Sequence, residues 1–310
     1  MESFLIGAAG ILVMLSIGAY EKWKRRQAPS RAQWREPAPP AWQPIAADLA
    51  RAVSPLSATV EAFRDENDAQ GMVAIVRGLD PSLTLRSTGR TTGDVETGHL
   101  GFDRQLYVRG NTDSVRALLD AATRDAVLDL LRGPLRGGHL AVEGGELRAV
   151  VPAGGYVSLE DPLADAVPLL ARVSRRLSAP IDVSSELAKN ARVDSVSGVR
   201  LMCLRTLLRE HLGQARVVNP LLREATADED AEVRLEAATA LGAEGVPVLQ
   251  ALVADASVED GVSVRAAEAL GDRMPADLAR ATLRQELSAS STWYRAATAR
   301  ACATALGQRG

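Results

Sequence analysis

The sequence predicts a multi-domain chain with a single N-terminal transmembrane helix, a small α+β middle domain and a C-terminal all-α solenoid. Three observations predict it. Residues 4–20, FLIGAAGILVMLSIGAY, run for 17 residues without a charge. Short alternating apolar segments bounded by glycine-rich turns fill the middle of the chain. In the last third the apolar spacing takes the helical period, and one pattern recurs at spacings of 34, 29 and 32 residues. The expected boundaries are 1–22 for the anchor, 23–58 for a Pro-rich juxtamembrane linker, 59–180 for the α+β domain and 181–310 for the helical repeats.

Composition supports that division. A chain of 310 residues with 46% apolar content can bury sizeable cores, and 4% aromatics leaves Ala, Leu and Val to fill them. A net charge of −3 argues against nucleic acid as the main partner, because phosphate binding needs a basic surface. Only Lys22, Lys24 and Lys189 are lysines among 36 basic residues, a bias typical of GC-rich bacterial coding. Cys203 and Cys302 lie in no CxxC or Cys/His cluster, so they are expected as small buried hydrophobes, with no disulfide, metal or cofactor.

Glu2 precedes the apolar N-terminal run and EKWKRR (21–26) follows it. A secretory signal has its positive charge before the run and a small-residue cleavage site after it. The opposite order points to an uncleaved single-pass anchor in the bacterial inner membrane, with the bulk of the chain cytoplasmic. Tyr20 and Trp23 suit the interface, and Lys22, Lys24, Arg25 and Arg26 the inner side. Pro29, Pro37, Pro39, Pro40 and Pro44 then predict an extended polyproline spacer over 27–44; docking of PAPPAWQP by a proline-reading domain is the competing reading.

In the middle region, 72–77, 83–87, 105–109, 139–142 and 146–151 read as strands, with EGGE (143–146) as a hairpin turn. A helix is expected over 111–133, capped by Thr112 or Asp113 and ended by Gly133-Pro134, and another over 160–178. The most polar loop, 92–103, carries Asp94, Glu96, His99 and Asp103, an acid–base or metal cluster if they converge. Glycine and aspartate also belong in turns for backbone reasons, and no HExxH, P-loop, GxSxG or GxGxxG motif accompanies them. No catalytic or metal residue is therefore assigned, and His99, His139 and His211 have no partner at ligand spacing.

The stretch AEVRLEAATALG (231–242) places Val233, Ala237, Ala240 and Leu241 on one helical face. Val199, Cys203, Thr206 and Leu207 repeat those offsets, as do Val262, Ala266, Ala269 and Leu270, then Tyr294, Thr298, Ala301 and Cys302. Second helices are expected to begin near Pro220, Pro247 and Pro275, and Gly213, Gly242 and Gly271 to end the first ones. The motif D-x-x-V-R-x-x-A-A-x-A-L-G, nearly complete at Asp230–Gly242, resembles HEAT repeats of the short type also found in phycobilisome lyase subunits; the resemblance covers about 185–310. It implies an α-solenoid in which Asp230 and Arg234 form a ladder between neighbouring units, with Ser263 and Arg265 departing from the pattern.

A solenoid offers an extended face to protein partners. The expected function is a membrane-anchored, non-enzymatic scaffold that binds a protein partner through the second helices, with Arg223, Gln250, Arg280 and Arg284 on the binding face. The alternatives are an accessory subunit of an enzyme or lyase complex, or a ligand-sensing middle domain with the solenoid as relay.

Overall fold

The computed structural model describes residues 35–64, 70–87, 94–151, 159–288 and 295–307. Its first part is a sheet built from β1 (Arg35–Pro37), β2 (Ser57–Arg64), β3 (Gln70–Arg77), β4 (Thr84–Ser87), β5 (Leu106–Arg109), β6 (His139–Glu143) and β7 (Glu146–Val151). Every pairing is antiparallel, in the order β1-β2-β3-β7-β6-β4-β5. The β6–β7 hairpin turns at Gly144 and Gly145, whose φ values of 58° and 81° need residues without a Cβ. Five helices accompany the sheet: α1 (Gln43–Val53), α2 (Leu100–Asp103), α3 (Thr112–Leu118), α4 (Ala121–Arg132) and α5 (Glu160–Ser178).

Strand alternation decides the core. Met72, Ala74, Val76, Leu140, Val142, Leu147, Ala149 and Val151 share one face and one cluster with apolar residues of α1, α4 and α5. Each fully buried leucine there contributes about 1.5–3 kcal/mol. The opposite face carries the buried Val73 and Ile75 and a polar cluster: Glu146 accepts from Arg77 Nε on the neighbouring strand at 2.9 Å and from Arg148 Nη2 of its own strand at 2.6 Å.

The structure corrects the expected fold class. Among the described residues no helix is long and apolar enough to cross a membrane. The longest, α5, has 19 residues but carries Asp161, Asp165, Arg172, Arg175 and Arg176. The span expected at 4–20 lies outside the described residues, as do 27–34 of the expected polyproline spacer.

Residues 35–58, expected as linker, are instead built into the sheet domain. Pro37 ends an edge strand, Pro40 opens a short 3-10 turn (Pro40–Trp42) and Pro44 lies in the first turn of α1, all places where a missing N–H costs little. Trp42, Ile45, Leu49 and Val53 then follow helical spacing into the core. The helix expected over 111–133 is broken at Leu119–Asp120: Asn111 caps α3, and Asp120 accepts from Thr123 N at 2.9 Å to cap α4.

The second part is helical throughout its described residues: α6 (Val183–Val193), α7 (Ser197–Glu210), α8 (Ala215–Ala225), α9 (Ala231–Leu241), α10 (Val246–Ala254), α11 (Asp260–Leu270), α12 (Ala276–Ser288) and α13 (Ala296–Gly307). The first helices α7, α9, α11 and α13 touch in succession and form one layer. The second layer, α6, α8, α10 and α12, packs along it. Val199, Val233, Ala237, Val262, Ala266 and Leu270 are buried between helices, Leu241 is half-buried, and Tyr294 lies outside the described residues.

Two glycines end first helices as expected, Gly242 at φ 62° and Gly271 at φ 48°. Gly213 does not, because α7 stops at Glu210 with His211 as its C-cap. Pro220 lies inside α8 rather than at its start.

The expected Asp230–Arg234 ladder is replaced by a different one. Asp230 caps its own helix, accepting from Glu232 N at 2.9 Å and Val233 N at 3.2 Å. Arg234 Nη1 donates to the Asp228 and Glu229 carbonyls at 2.7 and 2.9 Å. The rung between units is Arg200 to Asp228, with two bonds of 2.8 Å. In the next unit the place of Arg234 is taken by Ser263, whose hydroxyl accepts from Arg295 Nη1 instead. Arg265 pairs with Glu232 across α9 and α11.

Candidate functional site

The loop expected to hold an acid–base cluster is held together by its own polar groups. The Asp103 carboxylate accepts from Thr97 N at 3.1 Å, Thr97 Oγ1 at 2.8 Å and Gly98 N at 3.1 Å. His99 Nδ1 accepts from Phe102 N at 3.0 Å and so caps α2, which leaves the proton of the neutral ring on Nε2. Asp94 turns toward Arg109 at 3.4 Å. The Glu96 side chain is exposed, while its carbonyl accepts from Arg116 Nε at 3.0 Å. The four residues do not converge, and no metal-holding group of His, Cys, Asp and Glu occurs among the described residues.

The same loop forms one wall of a groove of about 850 Å³, and the start of α7 forms the other. Gly98, His99 and Leu100 face Ser197, Leu201 and Met202 across it, and Leu100 is 70% exposed at its lip. The walls meet where the Gly98 and Gly198 backbones cross: a Cβ on either would overlap the carbonyl of the other. An arrangement of this size and apolar lining can seat a small apolar group.

Below the groove the two parts of the molecule are locked. Helix α3 packs on α6 and α7, so it extends the first-helix layer from within the sheet domain. Its Ala117 belongs to the cluster of Leu187, Cys203 and Leu207 rather than to the sheet core. Arg116 Nη1 donates to Thr206 Oγ1 at 2.6 Å, and Asn190 Nδ2 donates to the Arg116 carbonyl at 3.0 Å.

Arg124 of α4 and Asp194, each 1% exposed, form a buried pair at 2.7 and 2.9 Å. The Asp194 carbonyl in turn accepts from Arg200 Nη1 at 2.8 Å, which leads into the Arg200–Asp228 rung. Burial alone would raise the Asp228 carboxyl, but the hydrogen bonds from Arg200 and from the Asp230 backbone, together with the Arg200 and Arg234 charges, hold that group below its ordinary value. His211 Nε2 lies 3.1 Å from Asp113 Oδ2 at the far end of the joint.

Cys203 and Cys302 are buried and unbridged. Burial pushes the Cys203 thiol up to about 12, so it is the neutral thiol at neutral pH. A soluble thiol reagent at pH 8 is therefore expected to leave Cys203 unlabelled in the folded chain and to label it after denaturation. Mass spectrometry of the labelled protein reads the difference, and rapid native labelling would contradict the packing.

The residues expected on the binding face lie on the second layer but do not all behave alike. Arg223 is exposed and donates to Glu244 at 3.0 Å; Gln250 is half-buried. Arg280 and Arg284 are exposed on α12 and meet no carboxylate among the described residues. Helix α10, which carries Gln250, reads VPVLQALVA: Leu249, Leu252 and Val253 are buried, Pro247 and Ala251 are exposed, and the helix has no ionisable residue.

No family model, curated protein sequence or solved structure matches this chain. The site therefore rests on its own geometry. Sequence reasoning did not single out Arg116, Arg124, Asp194 or Arg200. A signal exists in the Val-Arg pairs Val115-Arg116, Val199-Arg200 and Val233-Arg234, and in Asp194 and Asp228, each six residues before its arginine. Nothing local marks Arg124, whose partner is 70 residues away.

Proposed function

We propose that this chain is a protein-docking scaffold whose second helix layer, α8, α10 and α12, receives a segment of a partner protein. The observation that carries the proposal is the outer face of α10. A surface helix ordinarily presents charged side chains to solvent; α10 presents Pro247 and Ala251. It packs beside α12, where Leu287 is 68% exposed. Uncharged surface next to a large exposed leucine is the composition of a docking face.

Two further observations favour docking over catalysis. The carboxylate of Asp103 and Nδ1 of His99 are engaged by backbone donors of their own loop. Alternating first and second helices with matching buried positions support degenerate HEAT-like pairing from α7 to α12, which builds an extended surface of this kind.

Ala251→Glu tests the proposal. A single carboxylate on the uncharged face is expected to weaken partner binding by at least about tenfold, because the bound state would bury an unpaired charge. Ala251 is exposed, so the variant is expected to melt with the wild type. A partner co-purified at fixed stoichiometry and retained in full by Ala251→Glu would overturn the assignment of this face.

A further inference from the structure

Given the docking face proposed above, we infer that its occupant is an acidic amphipathic segment: its apolar side chains cover α10 and Leu287, and its carboxylates pair with Arg280 and Arg284. The charge pattern of the array carries this. Arg192, Arg200, Arg205, Arg223, Arg265 and Arg295 each meet a carboxylate of the chain itself: Glu224, Asp228, Glu236, Glu244, Glu232 and Glu286. Arg280 and Arg284, like Arg216, Arg273 and Arg300, are exposed and meet no carboxylate among the described residues, and these two share one helix with the exposed Leu287.

The two arginines lie one turn apart on the exposed side of α12, and Leu287 follows at the next turn. Like charges at that spacing disfavour the isolated helix by a few tenths of a kcal/mol. A carboxylate on each would remove the repulsion, and the planar guanidinium accepts carboxylate oxygens in pairs. Asp277, one turn earlier, lies in the first turn of α12, where an acidic group complements the helix dipole. Two neighbouring arginines on one helix are fewer than phosphate-backbone binding recruits at once, and the chain carries a net charge of −3.

The test uses the full chain and two synthetic helical peptides that share one leucine face, the first flanked by glutamates and the second by lysines. Fluorescence anisotropy is expected to show the acidic peptide binding at least about tenfold more tightly, with the advantage shrinking as salt is raised to about 300 mM. Arg280→Glu with Arg284→Glu is expected to reverse the preference, and thermal melts check that this surface variant folds. Equal affinity for the two peptides would overturn the inference, as would displacement of the acidic peptide by a single-stranded DNA of equal charge. Loss of acidic-peptide binding in Ala251→Glu but not in the arginine variant would keep the docking face and reject the acidic occupant. Binding that neither variant disturbs would reject both.

Discussion

Asp194→Ala is expected to destabilise the folded chain by about 3–5 kcal/mol, the cost of leaving one partner of a buried ion pair uncompensated. Arg124 would remain 1% exposed, with its guanidinium held only by the Leu119 carbonyl at 2.6 Å. The loss reaches further than the pair. Asp194 Oδ1 also accepts from Val196 N at 3.0 Å, which fixes the turn before α7. Its carbonyl orients Arg200 toward Asp228.

Asp194→Asn retains the acceptor for Val196 but removes the charge, so it is expected to fall between the alanine variant and the wild type. Urea unfolding followed by circular dichroism measures the series. Because α3 ties the sheet domain to α6 and α7, the transition midpoint of the whole chain is expected to move. An alanine variant within about 0.5 kcal/mol of the wild type would show that the pair is not buried as described.

Gly98→Ala is the second large effect. Gly98 sits at φ 90°, a conformation that costs an L-residue about 1–3 kcal/mol. An added Cβ would also overlap the Gly198 carbonyl and lie 2.8 Å from Val199 N. Neither neighbour is a side-chain tip that can swing aside; both are backbone at the start of α7. The loop must therefore lift away from α7, which opens the groove and strains the bond from Arg116 Nε to the Glu96 carbonyl.

The expected result is a melting temperature lower by several degrees. Faster amide exchange in 94–104 and the first turn of α7 should accompany it, with protection in β3 and β7 unchanged. Gly213→Ala, where a Cβ meets nothing within 4 Å, serves as the neutral control. Exchange in the loop that matched the wild type would argue against the backbone crossing.

Much of the local structure was legible in the residues. Alternation marked β4 to β7, where buried and more exposed positions alternate, whereas β3, buried at every position from Gly71 to Val76, was marked by its apolar run. The region of β1, β2 and α1 was obscured by proline density, although each proline occupies a position that needs no N–H donor. The polar loop at 92–103 allowed both a cluster and a turn from its residue types, and in its described residues Asp103 and His99 stabilise a turn. On the second layer, Arg223 and Arg280 have the same composition signal, but the partner of Arg223 comes from the chain itself.

By itself the sequence determined quantities that depend on near neighbours: the period of most segments after residue 70, the glycine ends at Gly242 and Gly271, and the burial of Val233 and Ala237. Only the tertiary structure decided what lies against what. It placed α3 at the end of the helix layer, crossed Gly98 over Gly198, buried Arg124 against Asp194 and left Arg280 and Arg284 without a carboxylate among the described residues. Helical and strand periodicity and helix-end hydrogen bonds act over a few residues, whereas those contacts join segments tens of residues apart. They are fixed by how whole faces pack, which no short window of sequence contains.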